Sequence, residues 1–292
     1  WRSLFFMVVP FCLASMALCR RYVPTTAPGG VSANHGKPSL DMVGLGLACV
    51  GTVCLLNGLV QWHANHLGFA GVLLLVALTC TWGFIAWQRR LASQGIAPLM
   101  DLRLFAHRPF AMGSVVAFIY GSALFGSTYL IPVFLQLGLG LSASHVGTIM
   151  LPAGLVLAVT IAIVGRYAST HPTHLLVGFG LLLLAASFAL MLLIGLDTAL
   201  WVLVALATLG RIGLGFVLPS LNIGAMRSMQ APLIPQGASA INFVRMLGGA
   251  AGVSLCGILL EWRLSVHGQT LTSGAPSASR LIAFDEVFLM LA

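Results

Sequence analysis

Long apolar runs separated by short polar or basic segments constrain this chain more than any other feature of its sequence. A helix needs roughly 20 predominantly apolar residues to cross a bilayer. Eight runs come close to or exceed that length, and they cover residues 3–19, 40–60, 67–87, 109–135, 146–165, 175–196, 200–219 and 238–260. A ninth run begins near Leu281 and stops at Ala292, so only about half of a span is present there.

The composition excludes a water-soluble domain. The mean hydropathy is +1.02, and only 7% of the residues are charged, whereas soluble domains carry about 25%. The fold class is therefore an all-α integral membrane protein, a polytopic helical bundle of about eight complete spans and one truncated span. The net charge of +8 does not indicate nucleic-acid binding, because most of the basic residues lie beside apolar runs.

The distribution of basic residues orients the chain in the membrane. Segment 88–108 contains Arg89, Arg90, Arg103 and Arg108, and short basic loops remain on the cytoplasmic side. The loops on that side hold nine basic residues, whereas those on the other side hold two, Arg263 and Arg280. These features predict a multi-pass protein of the inner (plasma) membrane with segment 88–108 as a cytoplasmic loop.

Three stretches resemble the second half of a major facilitator superfamily transporter, in its fourteen-span drug/proton antiporter branch. They read PLMDLRLFAHRPFAMG, YLIPVFLQLGLGLSASHVGTIMLPAGL and INFVRMLGGAAGVSL. The resemblance implies five parts in chain order: the last span of an N-terminal half in 1–22, a cytoplasmic linker in 23–39, an inserted helix pair in 40–87, the basic loop in 88–108, and the C-terminal six-helix half in 109–292. Because the chain starts with Trp1 rather than Met, we expect it to be the C-terminal portion of a longer polypeptide.

The same resemblance implies a proton-coupled exporter of drugs or amphipathic toxic compounds that works by alternating access. We expect membrane lipid, small amphipathic substrates and the N-terminal half of the same chain as partners, with a periplasmic adaptor left undetermined. The proton gradient would supply the energy, without a cofactor. Two alternatives stay open: an exporter of a specific metabolite or organic anion, and a truncated remnant that transports nothing.

Two intramembrane arginines are candidates for the substrate path. Arg211 falls near the centre of its run, and an ionisable group at that depth must face a cavity, water or a partner. Arg245 lies about seven residues into its run, roughly 10 Å at 1.5 Å per residue, with Asn242 one helical turn away. Each arginine could equally be structural, Arg211 bonded to carbonyl groups or to a carboxylate elsewhere, Arg245 as an interfacial anchor.

The aromatic residues Phe118, Phe125 and Tyr129 recur at i, i+7 and i+11, so one helical face could line an apolar drug cavity. Packing or lipid contact is the alternative for that face. Gly248 and Gly252 form a small-xxx-small pattern, which predicts close helix packing or a sliding surface.

Gly165 and Arg166 end the fifth run and resemble the family's gating loop, although the acidic residue often found nearby is absent. No complete run buries a carboxylate at its centre, so the resemblance implies that the proton-coupling acid lies in the N-terminal half.

Neither an enzymatic nor a metal site can be assembled from the sequence. No phosphate-binding glycine loop, nucleophile with its base, or pair of catalytic carboxylates is present. The pairs His63 with His66 and His171 with His174 have helical spacing, but they lie in short loops without Cys or carboxylate companions. We interpret them as solvated histidines.

Overall fold

The computed structural model describes residues 2–22, 41–63, 67–96, 98–227, 229–230, 233–271 and 277–292. The linker predicted in 23–39 and His66 fall outside these ranges. Nine α-helices occupy the described part of the chain: α1 Arg2–Tyr22, α2 Met42–His63, α3 Leu67–Ser93, α4 Arg108–Val133, α5 Ala143–Tyr167, α6 Thr173–Met191, α7 Leu200–Met226, α8 Ile234–Val266 and α9 Ala278–Leu291. A short 3-10 helix, Leu102–Ala106, precedes α4, and a π-helical turn, Phe134–Gly138, extends it.

Seven of these helices, α2 to α8, are long and apolar enough to cross a membrane. The all-helical membrane fold is therefore confirmed. Helix α9 has 14 residues, and α1 has 21 residues, with every described side chain on α1 exposed. The division of the chain into five parts stays a prediction.

Local chemistry explains where several helices begin. Pro109 occupies the first turn of α4, where its missing N–H group leaves no hydrogen bond unmade. Ser142 caps α5 by accepting a hydrogen bond from the His145 N–H group. Ser277 does the same for α9 through the Arg280 N–H group.

Helices α7 and α8 are longer than the apolar runs that predict them. Helix α7 continues beyond Pro219 to Met226, and α8 begins at Ile234, four residues before the run that starts at Ala238. Proline is tolerated inside membrane helices because neighbouring groups satisfy the freed carbonyl group. Helix α6, in contrast, ends at Met191 rather than at the expected Leu196, and Gly195 and Thr198 close the turn that follows.

Helix α4 lies between α7 and α8 and packs most extensively on α8, while α7 also packs on α5 and α6. Helix α9 reaches α6, α8 and the π-helical turn. There the ring of Phe134 meets those of Phe284 and Phe288 edge-on, with centroids 5.4 and 5.2 Å away. This aromatic cluster closes one end of the bundle.

The α2–α3 pair is joined to the segment before α4 by a carboxylate network around Asp41. One oxygen of Asp41 accepts hydrogen bonds from the Gly44 N–H group at 2.8 Å and from the Trp87 indole at 2.9 Å. The other accepts from the Gln88 amide at 2.8 Å. The Gln88 carbonyl oxygen then accepts from the Met100 N–H group at 3.3 Å, so α2, α3 and the following loop share one connection.

Candidate substrate path

The crossing of α4 and α8 brings two helix backbones into direct contact. A Cβ atom built on Gly248 would lie 2.8 Å from the carbonyl carbon of Phe118, and one on Gly252 would lie 2.5 Å from the Cα of Ser122. The Ser122 hydroxyl group donates a hydrogen bond to the Gly248 carbonyl oxygen at 2.8 Å. Only residues without a side chain fit at these two positions, which is the geometry that a small-xxx-small pattern favours.

Helix α4 contributes a glycine of its own to this crossing. A Cβ atom on Gly121 would lie 2.9 Å from the carbonyl carbon of Arg245. The sequence reasoning missed both Gly121 and Ser122, although Gly121 could have been found as a small residue opposite the glycines of α8. The crossing is therefore tight from both sides.

Arg211 lies inside α7 and its side chain is only 9% exposed. Its two terminal nitrogens donate hydrogen bonds to the hydroxyl oxygen of Thr128 on α4, at 3.3 and 3.4 Å. No described carboxylate forms a salt bridge with Arg211. A neutral hydroxyl group is therefore the described partner of this buried charge. No local pattern predicts this contact, because the two residues are 83 positions apart.

Arg245 lies deeper in its helix than the apolar run suggests. Because α8 begins at Ile234, Arg245 lies about 16 Å from the helix start at 1.5 Å per residue. Its guanidinium donates a hydrogen bond to the side-chain oxygen of Asn242, while its Nε atom is buried without a hydrogen-bond partner. The two residues that the sequence paired by helical spacing are thus in contact.

Tyr120 is a further polar residue of α4 and is 1% exposed. Arg211 on α7 contacts α4 through the Thr128 hydroxyl group, and Arg245 on α8 contacts it through its backbone at Gly121. The two arginines therefore flank the same helix, whereas their described partners Thr128 and Asn242 are exposed.

The aromatic face of α4 turns toward α8. The ring of Phe125 covers Gly249, since a Cβ atom built there would come within 2.9 Å of three ring carbons. Tyr129 reaches α8 one turn further, where its hydroxyl oxygen would lie 3.9 Å from a Cβ on Gly257. Phe118 is 36% exposed. Phe125 and Tyr129 therefore contact the neighbouring helix, and a role in lining a drug cavity stays a prediction.

Gly165 and Arg166 lie exposed at the end of α5. A Cβ on Gly165 would come no closer than 4.0 Å to Pro219, and the Arg166 carbonyl oxygen accepts a hydrogen bond from the Ser169 hydroxyl group at 3.4 Å. The loop that follows is held locally by the ring of His171, which contacts Thr170 and the Tyr167 carbonyl oxygen. A gating role for this loop stays a prediction.

Comparisons with known proteins agree with this architecture. A family model described as Major Facilitator Superfamily matches residues 1–253. The chain is 24% identical over 271 residues to the multidrug transporter protein MdtP of Bacillus subtilis, covering 90% of this chain and 47% of that protein. It is 22% identical to the lincomycin resistance protein LmrB of Listeria innocua, over 87% of this chain and 52% of that protein. It is 28% identical to a probable actinorhodin transporter of Streptomyces coelicolor, over 89% of this chain and 45% of that protein.

The chain spans about half the length of these curated relatives. The relatives are named as transporters and resistance proteins, not as enzymes. The helical bundle, its seven candidate spans and the family match over residues 1–253 lead to one assignment. This chain belongs to the Major Facilitator Superfamily and is a multi-pass protein of the plasma membrane.

Proposed function

We propose that this chain is the C-terminal portion of a proton-coupled exporter, of the fourteen-span branch, that expels drugs or amphipathic toxic compounds. The observation that carries this proposal is the buried Arg211, which lies within a candidate span and has a neutral hydroxyl group as its described partner. A charge at that depth is a functional-site hypothesis by default, because placing it there is costly. The names of the relatives MdtP and LmrB support drug efflux as the activity.

Alternating access is supported by the α4–α8 crossing. Secondary transporters move largely by rocking one helix bundle against another around a central site. Helices that meet backbone to backbone, as at Gly248 and Gly252, and that share the hydrogen bond from Ser122 to the Gly248 carbonyl oxygen, can move as a pair. In the proposed cycle α4 and α8 move together and carry Arg245 with them, while the N-terminal half supplies the opposite wall of the substrate path.

Proton coupling requires a carboxylate that changes charge during the transport cycle. We expect such an acid in the N-terminal half, and the described residues of this chain offer Asp285 as a further candidate. Asp285 in α9 has a buried oxygen atom without a hydrogen-bond partner. The charged neighbours at this end of α8 and α9 are Glu286, Arg263 and His267, of which Arg263 and Glu286 form an ion pair. The loop charges orient this end toward the outside, where protons enter.

Export of an organic anion is the second candidate function. Arg211 and Arg245 would attract a carboxylate or phosphate group on the substrate, and guanidinium groups bind such groups in a bidentate manner. The same two residues would disfavour a cationic drug unless a carboxylate in the other half compensates them. Substrate charge therefore separates the two functions.

The test is efflux from cells that lack their major exporters, carried out with the full-length protein. Accumulation would be measured for a panel of cationic dyes, neutral antibiotics and organic anions. We expect export of amphipathic drugs, its loss in Arg211→Ala, and unchanged export in the matched control Arg227→Ala, since Arg227 is exposed at the end of the same helix. Export of anions alone would favour the second function. If the protein is present in the membrane but exports no compound, the result would support the hypothesis of a truncated remnant that transports nothing.

A further inference from the structure

A cleft separates the α2–α3 pair from α8. It has a volume of about 250 Å³, and its walls include Ala48 and Thr52 from α2, Phe84 from α3, and Phe243 from α8. A second cleft of about 230 Å³ shares Ala48, Phe84 and Phe243 with the first. The two clefts are almost entirely apolar and adjoin each other along these shared residues.

A basic pocket lies at one end of the apolar clefts. It has a volume of about 350 Å³ and is lined by Gln88, Arg89, Asp101 and Arg103, among others. Leu102 forms part of the wall of both the basic pocket and the first cleft. The hydrogen bond from the Met100 N–H group to Gln88 joins a residue of the clefts to a residue of the pocket, so the pocket and the clefts are adjacent.

The charge of the pocket suits an anion. Arg89 and Arg103 are exposed, and no described carboxylate forms a salt bridge with either of them. Asp101 is the acidic residue of the pocket, and one of its oxygens accepts a hydrogen bond from the Arg103 N–H group at 2.9 Å. Two guanidinium groups against one carboxylate leave a net positive charge.

From this arrangement we propose that the groove binds an anionic phospholipid of the cytoplasmic leaflet. The phosphate group lies against Arg89 and Arg103, and the acyl chains occupy the two apolar clefts beside Ala48 and Phe84. Basic pockets between helices on the cytoplasmic side are suited to acidic head groups, and arginine binds phosphate in a bidentate manner. A free anion would leave the clefts without an occupant, and an uncharged lipid would leave the arginines without a counter-ion.

Such a lipid would contact all three elements that meet at the groove. It would touch α2, α3 and α8, and the segment containing Leu102 that leads into α4. The main described contacts between the α2–α3 pair and the other helices are with α8 and the short 3-10 helix, beside the hydrogen bond from Met100 to Gln88. The lipid therefore acts as a spacer that holds the pair on the transporter, and its removal loosens this attachment.

The first test measures lipid retention and thermal stability of the full-length protein. The protein would be reconstituted in nanodiscs of phosphatidylcholine, with or without phosphatidylglycerol, and bound lipid would be counted by native mass spectrometry after detergent extraction. We expect the wild type to retain phosphatidylglycerol and to melt at a higher temperature in its presence. The double variant Arg89→Gln/Arg103→Gln should retain roughly 25-fold less, because each of the two basic residues near the surface contributes about a fivefold preference for anionic lipid.

The matched control is Arg90→Gln/Arg108→Gln, which removes the same charge from the same loop but from exposed residues that do not line the pocket. It should retain phosphatidylglycerol like the wild type. An equal loss in both double variants would show a diffuse attraction of the whole loop and would overturn the proposal. All four positions are exposed, so these variants should fold.

The second test fills the apolar part. Ala48→Phe places a ring in both clefts, whereas Cys49→Phe adds the same ring to an exposed position of α2 that lines neither. We expect only Ala48→Phe to lose phosphatidylglycerol. Two results would show a head-group contact without acyl chains and would overturn the proposal. The first is retention of phosphatidylglycerol in both variants. The second is displacement of phosphatidylglycerol by soluble glycerol phosphate as effectively as by the lipid itself. Lost drug export with unchanged lipid retention would also overturn it, since the cleft would then serve the substrate.

Discussion

The hydroxyl oxygen of Thr128 on α4 accepts hydrogen bonds from both terminal nitrogens of Arg211 on α7, at 3.3 and 3.4 Å. The same hydroxyl group donates to the Leu124 carbonyl oxygen at 2.7 Å. The Thr128 proton is directed to the Leu124 carbonyl oxygen, so the lone pairs of its oxygen are free to accept from the guanidinium. The buried cation is therefore oriented by a side chain that is itself held in place.

Replacing Thr128 by valine should destabilise the protein and lower transport. Valine keeps the shape of threonine but removes the acceptor, and leaving a buried donor unsatisfied costs about 1–3 kcal/mol. Thermal unfolding in detergent measures the stability, and drug accumulation in cells measures the transport. Thr148→Val is the control, because Thr148 is exposed like Thr128 but its described bond is to the His145 carbonyl oxygen in its own helix. Equal effects of the two changes would contradict the role of Thr128.

Replacing Gly248 by alanine should disrupt the α4–α8 crossing. The added methyl group would overlap the backbone of Phe118, and overpacking of this kind costs about 1–3 kcal/mol. Gly178→Ala is the matched control, since nothing lies within 4 Å of a Cβ at that position, and alanine in a helix is favoured over glycine by about 0.5–1 kcal/mol. We expect Gly248→Ala to melt at a lower temperature than the wild type, and we expect no such decrease for Gly178→Ala. A Gly248→Ala protein that melts like the wild type would show that the helices are further apart.

The Asp41 network should respond to acid. Partial burial alone would raise the pKa of Asp41, but the hydrogen bonds from Gly44, Trp87 and Gln88 outweigh it and hold the pKa below its ordinary value of 3.8. Since the folded-state pKa is depressed, the stabilisation is present above about pH 4 and is lost as the pH falls through the lower folded value. The protection of residues 42–46 from hydrogen exchange, relative to the intrinsic rate at each pH, should therefore be high at pH 7 and should fall below about pH 4.

The Asp41→Asn variant provides the comparison. Asparagine lacks the charge and one acceptor position, so the protection of residues 42–46 from exchange should be lower than in the wild type at neutral pH and should no longer fall in acid. Asp101→Asn is the control, since Asp101 caps the short 3-10 helix and does not contact α2. An acid response that persists in Asp41→Asn would show that another group carries it.

Neutralising Asp285 should reduce proton-driven export. Asp285→Asn keeps the size of the side chain but cannot release a proton, so export should fall and should lose its dependence on the pH gradient. Asp197→Asn is the control, because Asp197 is exposed in the turn between α6 and α7. Efflux assays at several external pH values would compare the two variants. Unchanged efflux in Asp285→Asn would place the coupling acid entirely in the N-terminal half.

Much of the fold could be predicted from the sequence because lipid imposes a simple rule. A charge-free run long enough to cross the bilayer has to be helical, so the apolar runs mark the spans without knowledge of any contact. The ends of the helices were harder to predict, since a helix can continue beyond its apolar run into water. Arg245 therefore lies deeper in α8 than the run beginning at Ala238 suggests.

The candidate site was less accessible to sequence reasoning. The pair Arg245 and Asn242 is local, so helical spacing predicts their contact. Arg211 was identified by its depth, whereas its partner Thr128 lies on another helix and is one of several hydroxyl residues in apolar runs. The Asp41 network was missed for the same reason, although an aspartate directly before a helix is a recognised capping signal.

The most direct test of the account is transport by the purified full-length protein in liposomes with an imposed pH gradient. A fluorescent amphipathic drug and a pH dye inside the vesicles would be followed together. The account predicts that drug and protons move in opposite directions, that a protonophore stops the drug flux, and that Arg211→Ala removes it while Arg227→Ala does not. Drug flux of equal size without a gradient, or equal flux in Arg211→Ala, would contradict the account.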